Sequence, residues 1–244
     1  MGGNNMDKQK KVLLTVDNSS IYYEVSGQGF PLFLLHGNGG SGKYFEKQVP
    51  EFSRYFTVFT VDSRGHARST NTRNSLTFDE MAEDLYQIMK QEQVTQANIV
   101  GFSDGANLAM VFTKKYPEMV HRLVLNAGNT VIQGVRFPIR IFTAIEYVLL
   151  QFLAKFSKKA KKQLLTVRLM THDIGVSNVD LQQFTAKTLV IVGKYDIIKR
   201  SHSIYLAKEI PHASFVLVPK QGHSFAKKDP QTFNREILTF LQEK

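Results

Sequence analysis

The sequence predicts an α/β fold with a doubly wound, mostly parallel β-sheet. Two observations support this: short runs rich in Val, Ile, Leu and Phe alternate with longer helical patterns, and the runs lack the polar alternation of a half-solvated strand. Such runs are typical of parallel strands buried on both faces, and their alternation with helices is typical of a doubly wound sheet. The predicted strands lie at residues 32–35, 58–61, 98–100, 123–125, 188–192 and 214–218.

Local signals place the other elements around this sheet. Segments 12–17 and 21–25 are separated by Asn18-Ser19-Ser20 and predict an antiparallel hairpin at a sheet edge. Thr77 and Glu80 have the spacing of a capping box and predict a helix that starts there. Asp229 followed by Pro230 predicts the start of the last helix.

One long helical stretch interrupts the alternation of strands and helices. No strand pattern occurs between about residues 131 and 184, where apolar residues recur at helical spacing. We therefore expect one domain over residues 1–244, with a helical cap insertion at 131–184 over the carboxyl edge of the sheet, where open α/β folds bind ligands. The alternative is one more core helix followed by a long loop. The apolar stripe consists of Ile141, Ile145, Val148, Phe152 and Phe156.

Composition excludes several classes of function. The chain has no cysteine, which removes disulfides, thiolate metal sites and cysteine nucleophiles. The formal net charge is +10, but no nucleic-acid-binding motif accompanies it, so no nucleic-acid partner is expected. The first eleven residues are polar and the apolar run at 12–16 is too short for a signal peptide. A cytoplasmic location is the resulting expectation.

Five lysines cluster within the predicted insertion. A solvated helix face is the preferred interpretation of this cluster, and contact with an anionic membrane surface or an acidic ligand is the less favoured alternative. The cluster consists of Lys155, Lys158, Lys159, Lys161 and Lys162.

A candidate nucleophile lies between a predicted strand and a helical stretch. Gly101-Phe102-Ser103-Asp104-Gly105 follows the run at 98–100 and precedes the helical pattern at 106–115. A serine on a sharp strand-to-helix turn needs glycines two residues before and after it, because the strained backbone leaves no room for side chains there. The motif therefore predicts that Ser103 is a nucleophile exposed above the sheet.

A serine hydroxyl needs a base to accept its proton, and the base needs a carboxylate to hold it in one tautomer. His223 follows the last predicted strand and is the predicted base; His172, in the insertion, remains an alternative. Asp196 comes directly after the run at 188–192 and is the predicted acid, preferred over Asp62.

Two further motifs complete a pattern that spans the chain. His36-Gly37-Asn38-Gly39-Gly40 follows the first parallel strand, and Asp62-Ser63-Arg64-Gly65-His66-Ala67-Arg68-Ser69 follows the second. With the nucleophile, acid and base in that order, the chain resembles the α/β-hydrolase family over nearly its whole length. The resemblance is weakest over the insertion, which corresponds to the family's variable cap, and Ala67 stands where the family usually has glycine.

The resemblance implies an oxyanion hole and a reaction. The backbone N–H groups of Asn38 and Asp104 would hold the oxyanion, while His36 and the loop at 62–69 would be structural. We expect the Asp104 carboxylate to point away from the oxyanion, toward the first turn of its helix. The predicted function is hydrolysis of a small-to-medium carboxylic ester through an acyl-enzyme on Ser103, without metal or cofactor.

The sequence also suggests residues that contact the substrate, and it leaves other substrates and other functions open. The predicted substrate-binding residues are Phe102, Gly39, Ile141, Ile145 and Phe152. Thioesters, lactones, amides and carbon–carbon bonds remain open as substrates, since the same groups serve all of these reactions. The alternatives are a ligand sensor with slow or no turnover, a cofactor-free perhydrolase, and a lipase that acts at a membrane surface. The oligomeric state remains open.

Overall fold

The computed structural model describes residues 8–243, in which eight strands form one sheet with helices on both faces. The strand order is β1-β2-β4-β3-β5-β6-β7-β8. The strands are β1 (Gln9–Leu14), β2 (Ser20–Ser26), β3 (Phe30–Leu35), β4 (Phe56–Val61), β5 (Ala97–Phe102), β6 (Val120–Asn126), β7 (Lys187–Tyr195) and β8 (Ala213–Gly222). The helices are α1 (Val49–Phe52), α2 (Phe78–Gln91), α3 (Asp104–Lys115), α4 (Phe137–Leu153), α5 (Lys158–Leu169), α6 (Asn178–Gln182), α7 (Arg200–Glu209), α8 (Phe225–Lys228) and α9 (Pro230–Gln242).

The predicted mostly parallel sheet is confirmed. Every pairing from β4 through β8 is parallel, and all six predicted runs lie inside strands. The predicted hairpin is also present at the edge, where β1 and β2 pair antiparallel. The first strand ends at Leu14 rather than at residue 17, because the backbone N–H of Asn18 donates to Thr15 and closes the turn earlier. Asn18 has a φ of 60°, which an asparagine tolerates better than most residues.

Burial on both faces explains why the parallel strands lack polar alternation. Along β3, Phe33 and Leu35 pack into the core that α2 and α3 cover, whereas Leu32 and Leu34 pack into the core that α9 covers. The side chains of successive residues point to opposite faces, so a strand between two helical layers must be apolar throughout.

Both predicted helix starts are confirmed. The Thr77 side chain accepts from the backbone N–H of Glu80, and the Glu80 carboxylate accepts from the backbone N–H of Thr77, which is the reciprocal capping box. The Asp229 side chain accepts from the backbone N–H of Thr232, and Pro230 is the first residue of α9.

The connection from β6 to β7 contains α4, α5 and α6. Leu150 of α4 packs against Ala160 and Val167 of α5, but Leu150 is the single buried residue of α4. Within residues 8–243, no helix has the length and apolar character needed to cross a membrane. The cytoplasmic location stays a prediction.

Candidate active site

Ser103 lies on a sharp turn between β5 and α3. Its φ is 54° and its ψ −121°, and its carbonyl accepts from the backbone N–H groups of Ala106 and Asn107. A Cβ on Gly101 would lie 2.3 Å from the carbonyl oxygen of Gly105, and a Cβ on Gly105 would lie 2.0 Å from that of Leu35. Both glycines of the motif are therefore required by close approach of backbone to backbone.

His223 and Asp196 meet Ser103 at the carboxyl edge of the sheet. His223 directly follows β8 and Asp196 directly follows β7. The His223 Nδ1 atom is 2.8 Å from Asp196 Oδ1, and the Nε2 atom is 3.1 Å from Ser103 Oγ. A carboxylate accepts from Nδ1–H, so Nε2 is left free to accept the proton of Ser103.

Burial and a second donor hold the Asp196 carboxylate in place. Asp196 is only 1% exposed, and its Oδ1 also accepts from the backbone N–H of Ile198. Its Oδ2 has no hydrogen-bond partner among residues 8–243. The carboxylate therefore contacts the imidazole through Oδ1.

The alternative acid and base of the sequence analysis lie elsewhere. Asp62 accepts from the backbone N–H of Gly42 at 2.7 Å and from the Arg68 guanidinium at 2.7 Å, so it ties two loops together. His172 is exposed and contacts Thr171 and the carbonyl of Arg168. The structure does not bring either of them to Ser103.

The loop after β3 passes directly beside the nucleophile. A Cβ on Gly37 would lie 3.0 Å from the Cβ of Ser103, so a side chain there would crowd the serine. Within the described part of the chain, the backbone N–H groups of Asn38 and Asp104 donate to no protein acceptor. These two backbone donors, one directly after Ser103 and one in the adjoining loop, are compatible with the predicted oxyanion hole, which stays a prediction.

His36 anchors this loop to the loop at 62–69. The backbone N–H of Ser63 donates to His36 Nε2 at 3.0 Å, so the ring proton is on Nδ1 and donates to the carbonyl of Gly37 at 2.7 Å. Burial and the neighbouring His66 lower the pKa of His36 to about 4. A neutral His36 makes both hydrogen bonds, as expected of a structural residue.

The Asp104 carboxylate differs from the expectation. One oxygen accepts from Asn107 Nδ2 in the first turn of α3 at 3.2 Å, but the other accepts from Asn38 Nδ2 at 2.7 Å. The carboxylate thus also points toward the loop of the predicted oxyanion hole, because the Asn38 amide offers the better-placed donor. Burial raises the pKa of Asp104 to about 6, against the opposing effects of the Asn38 hydrogen bond and of nearby His223.

The Asn38 amide makes a second contact that the sequence does not signal. Its Nδ2 also donates to the backbone carbonyl of Thr166 in α5 at 2.7 Å. A single side chain therefore joins the loop after β3, the start of α3 and the helical connection. A backbone carbonyl far along the chain carries no residue-type signature, so sequence patterns could not identify it.

The chain is similar in sequence to a known protein family and to several of its members. A family model described as "alpha/beta hydrolase fold" matches residues 31–177. The chain belongs to the alpha/beta hydrolase fold family. This α/β hydrolase is 26% identical to "Serine hydrolase BPHL" of Mus musculus, over 94% of the chain and 85% of that protein. It is 27% identical to "Putative carbamate hydrolase RutD" of Caulobacter segnis, over 93% of the chain and 98% of that protein.

Solved structures share the fold at lower identity. A hydrolase from Pseudomonas aeruginosa superposes with a TM-score of 0.82 at 21% identity, covering 99% of this α/β hydrolase and 100% of the other chain. A thermophilic esterase from Thermogutta terrifontis gives a TM-score of 0.82 at 19% identity, covering 96% and 98%. At these identities the likeness concerns the fold alone.

Aromatic side chains pack against the His223 ring. Phe102, predicted to bind substrate, is only 6% exposed and stacks on Tyr44 with ring centroids 4.2 Å apart. Its other neighbour is the His223 ring, with centroids 4.8 Å apart. In this α/β hydrolase Phe102 thus contacts both the Tyr44 ring and the His223 imidazole, and Tyr44 was missed because it belongs to no motif.

The remaining predicted substrate contacts lie on open surface. A Cβ on Gly39 would meet no heavy atom within 4 Å, so this loop position is open. Ile141, Ile145 and Phe152 are exposed on α4 and line an open apolar depression whose lining contains no residue of the Ser103–His223–Asp196 chain. Their role in substrate binding stays a prediction. No cluster of three or more candidate metal ligands occurs among residues 8–243 of this α/β hydrolase.

Proposed function

We propose that this chain is a serine hydrolase that cleaves a small-to-medium carboxylic ester. The observation that carries the proposal is the unbroken chain from Asp196 through His223 to Ser103, with contacts of 2.8 and 3.1 Å. Positioned nucleophile, base and orienting acid are the requirements for acyl transfer, and these three residues supply them without further movement.

In the proposed reaction, Ser103 Oγ attacks the ester carbonyl carbon while its proton passes to His223 Nε2. The carbonyl oxygen becomes an oxyanion that accepts from the backbone N–H groups of Asn38 and Asp104. His223 then gives its proton to the leaving alkoxide, and the alcohol departs from an acyl-enzyme. Water, deprotonated by His223, attacks the acyl carbon, and collapse of this second intermediate returns the proton to Ser103 and releases the acid.

Electrostatics favour the charged state that forms during both steps. The imidazolium of His223 would lie 2.8 Å from the buried carboxylate of Asp196 and would also be attracted by the carboxylate of Asp104. A positive charge near two carboxylates in a partly buried site is stabilised more than it would be in water.

The relatives and the helical connection give further support. The two relatives above are named as a serine hydrolase and a putative carbamate hydrolase. Esters and carbamates both present a carbonyl carbon to a nucleophile. We also propose that residues 131–184 act as a cap, because the Asn38–Thr166 contact brings α5 against the loop beside the nucleophile.

The decisive experiment is a panel of chromogenic esters, thioesters and amides assayed with wild type and with Ser103→Ala. We expect ester turnover that falls by about 10⁵-fold or more in Ser103→Ala, since the nucleophile is lost. We expect Asp196→Asn to lower kcat by about 10³–10⁴-fold, because the imidazolium loses its counter-charge.

The outcomes separate this proposal from its rivals. Asp229→Asn serves as the matched carboxylate control, because Asp229 caps α9 and does not contact the proposed triad. Tight ligand binding without turnover in wild type would instead indicate a sensor. Undiminished turnover in Ser103→Ala would refute the proposed nucleophile.

A further inference from the structure

The helix α4 exposes a broad apolar face. Phe142 and Leu149 are 74% and 55% exposed, and their spacing of seven places them on one side of the helix; Phe156, which is 78% exposed, follows just beyond the helix end. Neighbouring positions on the same side are also large, apolar and exposed. They include Phe137, Ile141, Ile145, Val148, Phe152 and Leu153. A contiguous patch of this kind on a protein surface marks an interaction site.

The polarity of α4 is inverted relative to a helix that packs on its own core. The residues that face α5 include Glu146, whose carboxylate accepts from Gln163 Nε2 at 3.2 Å, and the half-buried Thr143 and Tyr147. Only Leu150 gives this side a buried apolar anchor. The protein thus turns the more polar side of α4 toward α5 and presents the apolar side outward, opposite to the usual arrangement.

The same part of the chain carries most of the net positive charge. Residues 131–172 contain eight Lys or Arg residues against a single glutamate, a net +7 of the chain's +10. The lysine cluster of the sequence analysis follows α4 directly and occupies the first half of α5. Within the described residues, none of its five lysines forms an ion pair with a carboxylate. Their charge is therefore available to a partner.

We infer that α4 and the start of α5 dock this protein on an anionic lipid bilayer surface. An apolar helix face followed directly along the chain by lysines offers an apolar surface that can enter the acyl boundary and cations that can contact lipid headgroups. With one side held against α5, the helix would lie along the membrane surface. The inference does not depend on the proposed hydrolysis, although it would place the enzyme beside lipid-borne or amphiphilic esters.

Charge argues against a second copy as the occupant of this face. A two-fold dimer places the same patch of both copies together, so two segments of net charge +7 would oppose each other. Lysine is also depleted at protein–protein interfaces. An anionic bilayer instead complements both features of the surface.

The chain offers a direct reporter, because it contains no tryptophan. In Phe142→Trp, the single indole should shift to shorter emission wavelength when vesicles of phosphatidylcholine with about 30% phosphatidylglycerol are added. Pure phosphatidylcholine vesicles should give at least about tenfold weaker binding, and added salt should reverse the shift. Val16→Trp is the matched control, because Val16 is fully exposed on the β1–β2 turn and should show no shift.

Two pairs of variants test the two parts of the surface by vesicle sedimentation. Phe142→Ser with Phe156→Ser should weaken binding at least about tenfold, because two exposed aromatic rings are removed from the lipid contact. Lys158→Glu with Lys159→Glu should weaken it at least about 25-fold, at about fivefold for each lost cation. These glutamates lie in the first turn of α5, where the helix dipole favours them, so folding should be preserved.

Matched controls lie on other surfaces. The control for the phenylalanine pair is Leu14→Ser with Val16→Ser, and the control for the lysine pair is Lys90→Glu with Lys208→Glu. All four control residues are exposed, and both control pairs should leave vesicle binding within about twofold of wild type. Turnover of a water-soluble ester, or its absence, should be the same in all of these variants and in wild type. The inference is overturned if wild type ignores anionic vesicles, if neutral vesicles bind equally well, or if Phe142→Ser instead abolishes a dimer.

Discussion

At the scale of single residues, the site holds two carboxylates with different environments. Asp196 accepts from the His223 imidazole, whereas Asp104 is buried beside two amides and forms no ion pair among residues 8–243. Burial raises the pKa of Asp104 to about 6 for this reason. The carboxylate is therefore a local cost to folding at neutral pH, and in the proposed reaction it would attract the positive charge that forms on His223.

This cost is measurable through the pH dependence of stability. The unfolded carboxyl titrates near 3.8 and the folded one near 6, so between these values the folded state binds more protons. Ionised Asp104 consequently lowers stability as pH rises through that window. We expect the free energy of unfolding of wild type, minus that of Asp104→Asn, to fall by roughly 2–3 kcal/mol from pH 4 to pH 8.

Urea unfolding of both proteins at several pH values checks this expectation. Taking the difference between the two removes the titration of every other group, as long as the variant retains the fold. A difference that is constant over pH would show that Asp104 titrates alike in the folded and unfolded chain.

At the scale of elements, the turn between β5 and α3 depends on backbone packing. The end of β3 lies very close to this turn. A Cβ atom added to Gly105 would lie 2.0 Å from the carbonyl oxygen of Leu35. No side chain can move aside to relieve this contact, because both partners are backbone. Two adjacent elements must therefore separate if any side chain is added.

We expect Gly105→Ala to destabilise the protein by about 3 kcal/mol or more and to abolish ester turnover, since β3 carries the loop beside the nucleophile. Thermal unfolding and the ester assay measure the two effects. Gly222→Ala is the matched control for stability, because its Cβ would meet its nearest atom at 3.5 Å, an ordinary contact. Equal stability of the two variants would contradict the proposed packing constraint.

The sequence predicts where strands and helices begin and end better than it predicts which side of a helix meets the rest of the protein. The runs at 32–35 and 98–100 and the capping box at Thr77 could be located because their signals are local. The stripe on α4 was detected as well, but helical periodicity gives no information about which side meets the protein. That depends on α5, whose packing through Ala160 and Val167 leaves the stripe outside. The Asn38–Thr166 contact was equally unpredictable, since it requires the tertiary placement of α5.

At the scale of the whole molecule, buried histidines connect separate regions through neutral rings. His36 accepts from the backbone of the loop at 62–69, and His202 of α7 accepts from the backbone N–H of Thr130 at 3.1 Å. Burial is the main cause that lowers the pKa of both to about 4, and it also lowers the pKa of His66. The His36 and His202 rings are acceptors that protonation would remove, so acid should loosen both of these long-range connections.

The sign for these histidines is opposite to that for Asp104. An unfolded histidine titrates near 6.5, so between pH 6.5 and about 4 the unfolded chain binds protons that folded His36 and His202 do not. Their contribution to stability is therefore present above pH 6.5 and is lost as the pH falls toward 4. His202 is the better test, because it lies away from Ser103 and holds the start of the connection to α4.

We expect the free energy of unfolding of wild type, minus that of His202→Gln, to decrease by roughly 2–3 kcal/mol from pH 7.5 to pH 4.5. The glutamine oxygen can still accept from Thr130 but does not titrate, so it retains the contact and removes the pH dependence. Urea unfolding measures the difference, with His212→Gln as the matched replacement of an exposed histidine. Wild type and His202→Gln could instead lose stability in parallel on acidification. That result would show that the hydrogen bond from Thr130 to the neutral His202 ring does not stabilise the contact between α7 and the start of the β6–β7 connection.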